Sequence, residues 1–136
     1  MFPDIKAKIE AATDATNTAN AILNRVKSDN IVGIFCSNEV TARDILTASN
    51  DGSALPTQFP GLIVIGFDAG KAQKAAVRNK YFYGAITQDP YNIGYQAVEL
   101  AYKAVNGESV ADVDTGAKFY NASNMDQPDI AQLLYD

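Results

Sequence analysis

Apolar positions recur with a period near two in some stretches of the chain and near 3.6 in others, and each change of period marks a change of element. In "DIKAKIEA", residues 4–11, Ile5, Ala7, Ile9 and Ala11 alternate with charged neighbours, which predicts a strand with one wet face at a sheet edge. "TDATNTANAILNRVKSDN" then sets Ala15, Ala19, Ile22, Leu23 and Val26 at helical spacing. "IVGIFC" (31–36) is a continuous apolar run, as expected of a strand covered on both faces. Helical spacing returns in "NEVTARDILTASNDG" through Val40, Ile45 and Leu46, with Gly52 as the stop.

"GLIVIGF" (61–67) predicts a second buried strand, "GKAQKAAVRNK" a short amphipathic helix, and the aromatic and β-branched run "YFYGAIT" (81–87) a third strand. "YNIGYQAVELAYKAVNG" predicts a helix over 91–106 with a stripe of Ile93, Ala97, Leu100, Ala101, Ala104 and Val105, stopped at Gly107. "VDTGAKFYN" closes the series as a last strand, and "MDQPDIAQLLYD" reads as a tail with a helical turn. Strands and helices alternate through short connections, with no repeat or linker, so the pattern predicts one α/β domain over 1–136, a parallel sheet with helices on both faces.

Composition narrows the chemistry. The chain is 47% hydrophobic and 20% charged, enough to bury a core. With 11 basic and 16 acidic residues, a net charge of -5 and no basic block, it has no phosphate-neutralising patch and reads against nucleic-acid binding. Histidine is absent, which removes Ser-His-Asp and Cys-His catalysis and disfavours zinc. Cys36, the sole cysteine, ends an apolar run and reads as a small buried residue. No apolar stretch reaches the length of a membrane span, and "MFPDIKAKIE" does not have the basic-then-apolar order of a secretory signal. No cofactor motif is complete.

In open α/β sheets ligands bind beyond the carboxyl ends of the strands. Three such ends carry a polar side chain: Asn38 after "IVGIFCS", Asp68 after "LIVIGF" and Gln88 after "YGAIT". A carboxylate accepts two hydroxyl donors at once, and an amide both accepts and donates, so the trio suits a neutral polyhydroxylated ligand. Each residue also has a purely structural reading. Asn38 and Asp68 stand where a helix begins and are preferred N-caps, and Gln88 precedes the turn-forming Asp89-Pro90. Other patterns are weaker. "GFDAGKA" pairs Gly with Lys, but its glycine spacing is a residue short of a phosphate loop, and Ala72 stands where a hydroxyl is needed. "DVD" (112–114) reads as a solvated loop, Asn121-Ala122-Ser123 is a short sequon pattern, and Tyr81, Phe82 and Tyr83 fit core and rim packing better than sugar stacking.

"GIFCSNE", "VIGFDAG" and "GAITQDPYNIGYQAVELAYKAVNG", in that order, together with the ending "DTGAKFYNASNMDQPDIAQLLYD", resemble the C-terminal half of periplasmic sugar-binding proteins of ribose-binding type, the solute receptors of ABC importers. The resemblance covers essentially the whole chain. It implies a Rossmann-like partial C-terminal lobe of a type I periplasmic-binding-protein fold, with residues 4–88 and 113–120 C-lobe-like and the helix at 91–106 packing on a second, N-terminal lobe. It implies that Asn38, Asp68 and Gln88 hold a sugar closed between the lobes, that Asp89 and Pro90 lie at the hinge, that an ABC permease is the partner, and that the location is periplasmic or extracellular. It implies binding without catalysis.

The chain also departs from the family pattern. Set against that pattern, the sequence is expected to be without the N-terminal lobe, a secretion signal and the first β-α unit of the C-lobe. Each unpaired buried backbone group costs ~1–3 kcal/mol, and an uncovered apolar helix marks an association surface. The expectation is repair: strand 4–11 pairing directly with strand 31–36, or a homodimer or element exchange that covers the helix at 91–106. The alternatives are the effector domain of a LacI-type sugar-responsive regulator, which shares the fold, and a truncated lobe with no binding activity of its own. An enzyme of flavodoxin-like or hydrolase type finds no nucleophile-base pair in the sequence.

Overall fold

Three apolar runs become the parallel strands of the sheet in this computed structural model, which describes residues 15–135. The strands are β1 (Gly33–Phe35), β2 (Ile63–Phe67), β3 (Gly84–Gln88) and β4 (Ala117–Tyr120). The helices are α1 (Ala15–Ser28), α2 (Glu39–Ala48), α3 (Leu55–Gln58), α4 (Lys71–Arg78), α5 (Pro90–Val105) and α6 (Pro128–Ala131). The strand expected over 4–11 lies outside the described residues.

The sheet order is β1-β2-β3-β4. The first three strands are parallel, as the alternation with helices requires, but β4 pairs with β3 antiparallel, with Ala117 opposite Gln88 and Tyr120 opposite Ala85. The reason lies in the connection. α5 starts at the carboxyl end of β3 and carries the chain out by roughly 24 Å, at 1.5 Å per residue. Gly107, left-handed at φ 77°, ends the helix, and residues 107–116 lead back. The chain therefore re-enters the sheet at the end it left, like a greatly enlarged hairpin.

Register assigns the faces. Ile34, Val64, Ala85 and Tyr120 share one face and join a core with Ala19, Leu23 and Val26 of α1, Ala42, Ile45 and Leu46 of α2, and Ala76 and Val77 of α4. Burying a side chain such as Leu46 or Val77 contributes about 1.5–3 kcal/mol. Phe35, Ile63, Ile65, Phe67, Ile86 and Phe119 point to the other face and stay outside that core; Phe35 is 58% and Ile63 49% exposed. Among the described residues α1, α2 and α4 pack on this face, and the arrangement as a whole is the expected one, a mixed α/β fold with helices around a mostly parallel sheet.

Local details also differ from the sequence reading. β3 begins at Gly84, because Tyr81 to Tyr83 form bends before it, with Phe82 buried and Tyr83 against Phe119 at the strand's amino end. That position, opposite the carboxyl ends, rules out a role for these aromatics in stacking a ligand there. α2 stops at Ala48, before Gly52, since Asn50 and Asp51 already take left-handed φ of 53° and 52°. The short helix α3, with Pro56 in its first turn, has no counterpart in the periodicity. α5 follows its predicted span closely but has no buried residue at all.

Candidate functional site

The carboxyl ends of β1, β2 and β3 lie side by side, so the sheet brings the predicted trio to one edge. Asn38 is the N-cap of α2. Its side chain accepts from the Thr41 backbone N–H at 2.9 Å, and Thr41 returns the contact through its hydroxyl, completing a capping box. The structural reading of Asn38 is therefore real, yet the cap uses only Oδ1, and Nδ2 donates to no described residue. Gln88 is the last residue of β3, and its Nε2 donates to Asp68 Oδ1 at 2.8 Å. Asp89 caps α5 by accepting from Asn92 N–H at 2.9 Å, and Pro90 occupies the first turn.

Asp68 does not cap α4. That helix starts at Lys71 with Gly70 as its N-cap and no side-chain cap bond. Asp68 instead takes a left-handed φ of 71°, which costs an L-residue about 1–2 kcal/mol in general and Asp somewhat less. Its N–H continues the ladder to Ile86 O at 2.7 Å. Its carbonyl accepts from Gln73 Nε2 at 2.6 Å and from Tyr120 Oη at 2.9 Å. The carboxylate is left to face Gln88 and whatever approaches the sheet edge.

The flanking glycines are explained by the same geometry. A side chain on Gly66 would run into the Gln73 amide, and one on Gly70 into the Glu39 carboxylate. Glu39 follows Asn38 on α2, and its Oε2 accepts from Tyr135 Oη at 3.2 Å. Tyr135 arrives from the C-terminal segment, which is tied down where Arg78 donates to both Asp126 carboxylate oxygens at 3.0 and 2.8 Å and Lys74 Nζ donates to Tyr135 O at 2.5 Å. Burial raises the pKa of Tyr135, with the Asp68 and Glu39 carboxylates adding to the rise against a bond to the Ala69 backbone. Glu39, Gln73, Tyr120 and Tyr135 were not singled out from sequence. Only Glu39 had a local signal, its place beside Asn38.

The edge thus presents carboxylate acceptors, amides that both donate and accept, and a phenol. It can hold a ring of hydroxyls, and it includes no nucleophile paired with a base among the described residues.

Residues 3–109 match the periplasmic binding protein domain family. The chain belongs to that family. Its members are sugar-binding transport proteins, typically periplasmic or extracellular. Solved structures of type I periplasmic-binding-protein fold share the architecture. A structure named "ABC transporter, LacI family transcriptional regulator", from Brachyspira murdochii, is 44% identical with a TM-score of 0.77, over 91% of this chain and 42% of that one. A carbohydrate transporter solute-binding protein from Agrobacterium radiobacter in complex with D-arabinose is 32% identical with a TM-score of 0.76, over 92% and 42%. An ABC transporter solute-binding protein from Agrobacterium vitis with bound α-D-tagatopyranose is 26% identical with a TM-score of 0.80, over 98% and 45%. This periplasmic binding protein domain spans less than half the length of these structures. A comparison with curated proteins yields no match.

Proposed function

We propose that this domain is one lobe of the sugar receptor of an ABC importer, and that Asp68, Gln88 and Asn38 are its sugar contacts. The observation that carries this reading is the Gln88–Asp68 amide–carboxylate pair, 2.8 Å apart at adjacent parallel strand ends, on a backbone that departs from its preferred conformation at Asp68. Sugars named for the related structures support the ligand class. In this reading the sugar is bound and released unchanged, Asp89 and Pro90 form the hinge, and the partner beyond the second lobe is a permease, with the receptor outside the cytoplasmic membrane.

α5 supports the second lobe. Its polar residues Asn92, Gln96, Glu99, Lys103 and Asn106 form one narrow stripe, and the rest of its circumference is apolar, with Tyr91 81% and Val105 88% exposed. A helix apolar on most sides is a buried helix. The related chains are more than twice as long, and a lobe from that additional length is the surface proposed to cover it.

The test is titration of the isotopically labelled chain with D-arabinose and D-tagatose, followed through the amide signals of Asn38, Asp68 and Gln88, beside Asp68→Ala. Weak binding is expected, since half the contacts belong to the second lobe and affinity depends on preorganisation. Shifts confined to these residues and lost in Asp68→Ala support the reading; no shift at saturating sugar, or shifts elsewhere, overturn it. The name of the Brachyspira murdochii structure also favours a regulator's effector domain. A helix-turn-helix segment encoded upstream in the same gene decides for that reading.

A further inference from the structure

The Asp68 carbonyl is held twice, from two different elements. Gln73 of α4 and Tyr120 of β4 both donate to it, and Gln73 Nε2 also donates to Tyr120 Oη at 3.1 Å, so the three groups close a ring. The ring fixes every proton. Both hydrogens of the Gln73 amide nitrogen are used, the Tyr120 hydroxyl spends its own on the carbonyl, and a flipped amide would set oxygen against oxygen. Gln73 is 2% exposed and Tyr120 fully buried.

Gln73 keeps this arrangement at a cost. Among the described residues its Oε1 is buried with no hydrogen-bond partner, an unfavourable state that a methionine or leucine at this site would avoid. Gly66 lacks the side chain that would collide with that amide. An orphaned acceptor, a glycine cleared for it and two donors on one carbonyl all meet at the single left-handed residue of the strand-end trio.

We infer that Gln73 and Tyr120 are positioning residues of the ligand site: they lock the Asp68 backbone left-handed, so that its carboxylate meets Gln88 and stands preorganised for a ligand. The ligand part rests on the sugar reading above; the lock does not. A preorganised acceptor binds more tightly because ordering is not left to the binding step.

The experiment uses the labelled chain with Tyr120→Phe, Gln73→Met and the double variant. Three-bond couplings and backbone carbon shifts of Asp68 report its φ, and D-arabinose and D-tagatose titrations report affinity. Tyr120→Phe removes one oxygen and leaves the ring in the core, so it keeps the fold even if Gln73→Met does not. The expected result is loss of the left-handed signature of Asp68 in each variant, with sugar affinity about tenfold lower, the equivalent of one hydrogen bond. Asp68→Asn keeps the left-handed signature while weakening sugar binding. If Tyr120→Phe and the double variant retain that signature, or bind sugar as the parent does, the lock is refuted. If the parent binds no sugar but loses the signature in the variants, the lock stands and the sugar reading fails.

Discussion

Gly66→Ala tests whether the strand-end glycine is there for the Gln73 amide. The new Cβ would lie 2.6 Å from Gln73 Cδ and 3.2 Å from Ala85 Cβ, against an ordinary carbon–carbon contact of about 3.5–4.0 Å. The amide is the far end of a flexible side chain, but it is not free to retreat. It is buried, and moving it breaks its bonds to Asp68 O and Tyr120 Oη. Two hydrogen bonds at about 1 kcal/mol each, with about 1–3 kcal/mol of overpacking and less than about 1 kcal/mol recovered by replacing Gly in a strand, give an expected loss of about 2–5 kcal/mol. Urea unfolding reads this as a lower midpoint at unchanged slope. A double-mutant cycle with Gln73→Ala isolates the cause, because truncation at residue 73 removes the collision. In that background Gly66→Ala should cost less than about 1 kcal/mol. Equal costs in the two backgrounds would refute the reasoning and leave the glycine to some other constraint.

Gly84→Ala should destabilise at least as much, about 3 kcal/mol, and resist rescue by Phe119→Ala, because its Cβ meets the Tyr120 backbone carbonyl at 2.5 Å as well as the Phe119 ring; recovery of the parental urea midpoint in the pair would count against this. Burial pushes the Tyr120 phenol from 10.0 up to about 12 and the Cys36 thiol from 9.0 up to about 12, so the unfolded chain releases both protons first. Stability is then unaffected by these groups below pH 9 and falls as pH rises through the window to about 12, by about 1.4 kcal/mol per unit for each group in its range. Tyr120→Phe should flatten the fall above pH 10, and an unchanged alkaline slope of the urea midpoint would contradict it. The isolated chain should associate with rising concentration through α5, and Val98→Asp should weaken that association; a monodisperse monomer by light scattering at every concentration would show that α5 needs no cover.

The sequence by itself determined where the parallel strands lie and which residues end them. Continuous apolar runs such as "IVGIF" and "LIVIGF" read as strands covered on both faces, and a polar residue that follows such a run falls at the carboxyl end. Asn38, Asp68 and Gln88 were legible for that reason, and α5 was legible from its period and its glycine stop. Local chemistry also made Asn38 readable as a cap, which it is.

Only the tertiary structure decided what holds Asp68. Gln73 and Tyr120 are 47 residues apart and Tyr120 lies 52 residues from Asp68, while Tyr135 reaches Glu39 across 96 residues. No periodicity encodes such pairs, because each depends on sheet order and on the return path after α5, which set β4 antiparallel beside β3. The same return places Tyr120 under the Asp68 turn. A hydrogen bond of this kind is fixed by where two elements meet in space, and a residue's own neighbours in the chain say only that it is a tyrosine in a strand or a glutamine in a helix.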